Sequence, residues 1–169
     1  MSAAHSIRRA WPAIAIAGAI LLPVRAYCAV ASTTFQVQIT ITNACSIDSV
    51  NDLNFGSQGS IALGVDAITT FNVQCTLLVP YSIGLSAGTG AGATVTTRKM
   101  TGPASATIDY SLYQDLTHLL VWGDSIGTNT VAGIGTGLTL PYVVYGRVAP
   151  QATPAAGLYT DTITITVTY

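Results

Sequence analysis

The sequence contains no glutamate and a single lysine, and charged residues make up only 8% of its 169 residues. Most helices carry glutamate and lysine on their exposed faces, so this scarcity argues against a helical protein. Threonine, a β-branched residue that favours strands, occurs 24 times after residue 31. The composition therefore predicts an all-β domain. A surface with so few charges suits a protein that packs against copies of itself.

Positive charge is also scarce. Beyond residue 31 the chain keeps Arg98, Lys99 and Arg147 against seven aspartates, a formal charge of −4. A basic surface for nucleic acid or for an anionic membrane is therefore excluded. The aspartates are scattered singly, without the spacing of a calcium loop, so Asp48 and Asp52 are interpreted as turn caps. No metal and no cofactor are expected.

The amino-terminal residues have the pattern of an export signal. Arg8 and Arg9 precede an apolar run from Trp11 to Val24, and small residues follow as far as Ala31. This pattern predicts a signal peptide over residues 1–31. The run is shorter than the ~20 residues of a spanning helix, so no membrane span is expected after cleavage. Twin-arginine export is a weaker alternative.

Cysteine is rare as well. Cys45 and Cys75 are the only two cysteines after residue 31. An exported chain meets an oxidising compartment, so these two are expected to form a disulfide. Closing a loop of about 30 residues contributes roughly 3 to 4 kcal/mol in the chain-entropy model. A metal pair is the alternative, but it needs further ligands, and His118 is the only histidine left after cleavage.

Two segments alternate strictly between apolar and polar residues, one near each end of the exported chain. Alternation of this kind places every second side chain on one face of a strand. Together the two segments predict a subunit that polymerises by lending one strand to its neighbour. The alternative is that both are ordinary strands of one closed domain. The predicted donor face consists of Phe35, Val37, Ile39 and Ile41, and the carboxyl-terminal face of Ile163, Ile165, Val167 and Tyr169.

Turn signals separate further predicted strands, and no linker divides the chain. The economical interpretation is one β-sandwich over residues 45–169, preceded by a donor segment over residues 32–44. Pro141 indicates an edge or a bulge in its strand. Glycine predicts flexible loops at 87–92 and 131–137. The predicted strands cover residues 68–75, 81–85, 108–112 and 138–148.

Signals for catalysis are weak, and an enzyme is not expected. His118 has no nucleophile motif beside it and is interpreted as a solvated turn histidine. Gly133 to Gly137 lacks the Lys-Ser/Thr ending of a phosphate loop. Trp122 could stack on a sugar, but its apolar neighbours favour a place in the core.

Short motifs recur in order along nearly the whole exported chain. They are Cys45, Leu53-Asn54-Phe55-Gly56, Cys75, Tyr110-Ser111-Leu112-Tyr113, Val121-Trp122-Gly123, Val144-Tyr145-Gly146-Arg147 and Gly157-Leu158-Tyr159-Thr160-Asp161-Thr162 through Tyr169. In these motifs the chain resembles the spore coat U domain family, whose best-known members are subunits of archaic chaperone/usher pili.

The resemblance implies an incomplete immunoglobulin-like β-sandwich that lacks its last strand. A periplasmic chaperone would fill the groove first, an outer-membrane usher would catalyse assembly, and the donor strand of another pilus subunit would then replace the chaperone. The product would be a surface fimbrium that supports adhesion and biofilm formation. A tip adhesin or a secreted carbohydrate-binding sandwich is the alternative, although the one-domain length and the donor segment argue against it. A secreted enzyme is a more distant one.

Overall fold

The protein folds into eight β-strands and one short 3-10 helix, seen in a computed structural model that describes residues 27–169. The chain divides into residues 1–39 and 40–169, and every strand found within residues 27–169 lies in the second unit. The predicted all-β class is confirmed. The elements are β1 (Cys45–Asp48), β2 (Val65–Cys75), β3 (Pro80–Leu85), β4 (Arg98–Thr101), the 3-10 helix (Pro103–Ser105), β5 (Thr107–Tyr113), β6 (Val131–Ile134), β7 (Thr139–Val148) and β8 (Ile165–Thr168).

The strands form two antiparallel sheets that enclose one core. The larger sheet has the order β1-β2-β7-β5-β4, and the smaller has the order β6-β3-β8. Alternation decides which side chains face inward, as in β2, where Phe71, Val73 and Cys75 are buried and Thr70 and Gln74 are exposed. The expected inward face of this strand is thus confirmed.

Trp122 is at the centre of the core, as predicted. Its side chain is 1% exposed, and its indole N–H donates a hydrogen bond of 2.9 Å to the carbonyl of Ile83. The backbone N–H of Trp122 donates to Leu112 in the larger sheet at 2.8 Å. This residue therefore ties the two sheets together, which leaves it no free face for a sugar.

One of the two predicted glycine loops is partly wrong. Residues 87–92 contain no strand, but Val131–Ile134 forms β6 and pairs with β3. The reason is steric, because a Cβ at Gly133 would lie 2.5 Å from the ring of Tyr81. Glycine here permits close packing within a strand and does not signal flexibility.

Pro141 lies in a stretch of a central strand that is paired on one side only. It lies in β7 opposite Asn72 of β2, whereas β5 pairs only with Tyr145 to Arg147 of the same strand. On its β5 side, Pro141 therefore removes no ladder hydrogen bond. The predicted edge position holds for this part of β7 only.

The predicted solvated environment of His118 is wrong. The residue does lie at a bend, with φ of 58°, but its side chain is only 10% exposed. The guanidinium of Arg147 donates to its Nδ1 at 3.1 Å, and its ring packs edge-on to Tyr113 at 5.0 Å. Both partners project from the outer face of the larger sheet and cover the imidazole.

A buried arginine, which the sequence did not reveal, joins three segments of the core. Arg98 is 0% exposed. Its guanidinium donates to the carbonyls of Ser86 (2.8 Å), Val95 (2.8 Å), Leu85 (3.1 Å) and Trp122 (2.7 Å). Burial lowers the pKa of the Arg98 guanidinium from its usual value. The charge is held by four carbonyl dipoles.

Replacing Arg98 by lysine is expected to lower the free energy of unfolding by about 2 to 4 kcal/mol. A lysine ammonium has three N–H donors on a narrow head and cannot reach four carbonyls, so buried acceptors lose their partners. Urea unfolding of the oxidised protein measures the change. Arg147→Lys is the control, because the Arg147 side chain is 41% exposed and its loss costs less than about 1 kcal/mol. Equal losses in the two variants would contradict this role.

Candidate functional site

A groove opens between the two sheets beside β8. Residues 50–55 form one wall and residues 158–165 the other. The groove continues past Leu53 and Leu158 toward Ile61 and Val148, as two adjoining compartments of about 510 and 520 Å³. Its floor is formed by apolar side chains of the core, namely Phe71, Leu85, Tyr110, Leu112 and Val144. An open channel over core residues is what a sandwich lacking a strand presents.

The wall formed by residues 50–55 contains no strand, and its place depends on a glycine. Leu53 and Phe55 lie half-buried against the larger sheet at Gly146 of β7. A Cβ at Gly146 would lie 2.7 Å from Leu53 Cδ1 and 3.1 Å from Phe55 Cζ. The small residue therefore lets this segment pack closely on the sheet. The alternation around Leu53 and Phe55 covers only residues 52–56, which is too short to have revealed this wall.

The opposite wall leads into β8, the last strand. Its alternation is confirmed, since Ile165 and Val167 are half-buried and Thr166 and Thr168 are exposed. The strand begins at Ile165, two residues after the start of the predicted alternation. Before it, Thr160 bridges to Thr101 at the edge of the larger sheet. Ile163 lies before the strand and packs on the core, while Tyr169 is 58% exposed.

One edge of β8 is open. Within residues 27–169, β8 forms a ladder with β3 alone. An open edge presents unpaired backbone N–H and C=O groups, which are a template for another strand. Because Ile163 and Ile165 also line the groove beside this edge, an added strand could bond to β8 and place side chains on the core floor.

Two aspartates, Asp52 and Asp161, line the groove, and Asp161 is the one held by a set of hydrogen bonds. Its carboxylate accepts hydrogen bonds from the Tyr110 hydroxyl at 2.8 Å and from the backbone N–H groups of Thr89 and Thr162, each at 2.7 Å. Burial works against ionisation, but these bonds outweigh it and hold the pKa of Asp161 below its usual value. A Cβ at Gly88, where φ is +87°, would lie 2.0 Å from this carboxylate. Glycine at position 88 therefore leaves room for the Asp161 carboxylate, which the backbone N–H of Thr89 reaches.

Stability should fall in acid partly through Asp161. Because its pKa is lower in the folded protein than in the unfolded chain, its contribution is lost as pH falls below the usual value of 3.8. Asp161→Asn should be less stable than the wild type at pH 7 and should lose less on acidification. Urea unfolding between pH 7 and pH 3 measures both curves. Curves that stay parallel would contradict this role of Asp161.

The predicted donor segment is exposed and forms no strand. The side chains of Phe35, Val37, Ile39 and Ile41 are 86%, 87%, 83% and 71% exposed, and residues 27–44 contain no secondary structure. The alternative, in which this segment is an ordinary strand of one closed domain, would require these side chains to be buried, and they are exposed. The expected signal peptide lies mostly on residues 1–26, outside the described residues.

A disulfide marks the start of the sandwich. Cys45, the first residue of β1, is bonded to Cys75, the last residue of β2, and the two are register partners in the ladder. Just before it, the backbone N–H of Ala44 donates to the Thr76 hydroxyl at 3.1 Å, and that hydroxyl donates to the carbonyl of Thr42 at 3.2 Å. The chain is thus fixed from Thr42 onward.

Two kinds of feature are absent from residues 27–169. No three side chains of His, Cys, Asp or Glu come together there as a metal site. No helix in this range has the length and apolar character needed to cross a membrane.

Comparison with known families assigns the sequence to one of them. The sequence profile of the Spore Coat Protein U domain matches residues 31–166, most of the chain. The protein belongs to this family. Among curated proteins, it is 35% identical to "Protein U" of Myxococcus xanthus over 179 residues, covering 98% of this chain and 99% of that protein. The family resemblance found in the sequence is therefore confirmed.

A solved structure shares the fold. It is the crystal structure of the CsuC-CsuE chaperone-tip adhesion subunit pre-assembly complex from archaic chaperone-usher Csu pili of Acinetobacter baumannii. The TM-score is 0.56 and the identity 22%. The match covers 77% of this chain, which spans only 40% of the matched chain.

Proposed function

We propose that this protein is a structural subunit of a fibre assembled by the chaperone/usher pathway. One combination of features carries the proposal. A single chain has both a sandwich groove beside an open strand edge and an exposed segment of alternating apolar residues at its other end. A strand added at the open edge would cover the apolar floor of the groove, and the exposed segment has the alternating pattern of a strand.

The chemistry of groove and segment is complementary. The four side chains from Phe35 to Ile41 would face the apolar floor, while the polar residues between them would face solvent. Backbone N–H and C=O groups of the donor would pair with the open edge of β8. Ile163, Ile165 and Val167 would be covered, and Tyr169 would extend the same edge. In this assignment residues 32–44 donate and residues 45–169 accept.

The partners follow from this assignment. Before assembly, a periplasmic chaperone would supply the missing strand. At an outer-membrane usher, the donor segment of the next subunit would then replace the chaperone's strand. The next subunit would be another copy of this chain or a related pilin. The shared fold with a protein from a chaperone–subunit complex supports this route. The fibre would lie on the cell surface, where it would serve adhesion and biofilm formation. No enzymatic activity is proposed.

A peptide experiment tests the proposal directly. A synthetic peptide of residues 32–44 should bind the subunit released from its chaperone and raise the free energy of unfolding, by about 2.7 kcal/mol at a hundredfold excess over its Kd. The same peptide with Ile39→Asp should not bind, because it would bury a carboxylate without a partner. Equal stabilisation by both peptides, or by neither, would contradict donor-strand exchange.

A further inference from the structure

Large apolar side chains crowd one pole of the sandwich. They lie on residues 76–79, between β2 and β3, and on residues 134–138, from the end of β6 to the start of β7; together we call these two segments the leucine pole. The segments are adjacent, since Leu78 N–H donates to Gly135 at 2.7 Å and Gly137 N–H donates to Cys75 at 3.1 Å. Exposed apolar patches of this kind mark protein contacts. Leu77, Leu78, Ile134 and Leu138 are 62%, 76%, 62% and 70% exposed.

The conformation of Leu78 supports a contact role. Its φ is 64°, in the left-handed region that bulky side chains rarely adopt. Asparagine or glycine would be less strained there. With its side chain 76% exposed, Leu78 adds little to the core of its own domain. Such backbone strain is typical of functional positions.

The donor segment ends at this same pole. Thr76 hydrogen-bonds to both Thr42 and Ala44, through its hydroxyl and through a backbone N–H bond of 2.9 Å to Ala44. Ile41, the last apolar side chain of the donor segment, directly precedes Thr42. Three residues separate Ile41 from Cys45, so the Cα atoms of those two residues are at most about 14 Å apart. A groove that holds Ile41 must therefore lie next to the leucine pole.

We propose that the leucine pole packs against the rim of the groove in the neighbouring copy of this chain. This proposal rests on the proposed function, because the donor segment brings the two bodies together. The occupant is a second copy, since the three-residue connection leaves no room for another protein between the bodies. Each junction then has two parts, the inserted strand and an apolar contact at its base.

The test combines two substitutions that keep the fold. Leu78→Asn suits the left-handed backbone, and Leu138→Gln changes an exposed side chain. Junctions of fibres from the double variant should dissociate about tenfold faster for each leucine that the contact covers. The peptide of residues 32–44 lacks the pole, so it should bind the variant and the wild-type groove equally. Leu119→Gln, at a side chain 79% exposed, is the matched control and should leave dissociation unchanged.

Three outcomes would overturn the proposal. Wild-type dissociation rates in the double variant would show that the pole makes no contact at junctions. Loss of the chaperone complex with unchanged junctions would assign the pole to the chaperone. If the wild-type subunit neither binds the peptide nor forms fibres, the proposed function itself fails and this proposal fails with it. The single variant Leu78→Asn, followed by circular dichroism, separates a loss of contact from a loss of fold.

Discussion

Replacing Ile39 by aspartate should abolish fibres and leave the complex with the chaperone intact. Ile39 is near the middle of the exposed donor segment, and its side chain is 83% exposed in the single chain. Inserted in a neighbouring groove, an aspartate there would bury an unpaired carboxylate against the apolar floor, at a cost on the order of several kcal/mol per junction. In the proposed function the chaperone would engage the groove of the body, so its binding should not change.

Gln38→Asp is the matched control for this substitution. It adds the same charge one residue away, on the opposite face of the alternation, and fibres should still form. The measurement is the amount of periplasmic chaperone complex and of surface fibre for each variant. A residue in the domain's own core would behave differently, because aspartate would unfold the domain and remove the chaperone complex too. Intact fibres, or loss of the complex, would contradict the donor assignment.

Deleting Thr166 to Tyr169 should prevent capture by the chaperone and leave the subunit to be degraded. The deletion removes most of β8 and with it the open edge that the chaperone would extend. It also uncovers Ile83 of β3, which is 0% exposed in the intact fold. The level of chaperone complex in the periplasm measures the effect.

A pair of point variants tests whether the inner side chains of β8, as well as its backbone edge, contribute to chaperone binding. Val167→Asp places a charge on the half-buried inner face, whereas Thr168→Asp places it on the exposed outer face. The inner variant should lose most of the complex, and the outer one should keep it. A truncated chain that still gives the normal level of complex would show that β8 is not the main chaperone contact.

The fold was predictable where alternation was regular. The inward face of β2 and the alternation of β8 both follow from the two-residue period of a strand. The four-residue strands β1, β4 and β6 were not predicted, whereas β8, of the same length, lies within a seven-residue alternation. In β6 the glycine that looks like a loop signal instead makes room for the ring of Tyr81.

The candidate site was half predictable. The inner face of β8 could be read from periodicity, and the donor face stays a prediction from the same kind of pattern, but the opposite wall of the groove could not be read in this way. Leu53 and Phe55 lie on a segment without secondary structure, and their place depends on contact with Gly146, about 90 residues later. Arg98 likewise depends on carbonyls of three separate segments, which no local pattern encodes. Long-range contacts of this kind are beyond sequence periodicity.

Crosslinking from the donor segment tests the central claim most directly. Phe35, 86% exposed in the single chain, is replaced by the photoreactive analogue benzoylphenylalanine, and fibres are grown from a mixture of ¹⁴N- and ¹⁵N-labelled subunits. After irradiation, mass spectrometry identifies the crosslinked peptides. Donor-strand exchange predicts crosslinks between light and heavy chains, from residue 35 to the groove walls at residues 50–55 and 158–165 or to the groove floor. Crosslinks confined to single chains, or directed outside the groove, would contradict the account.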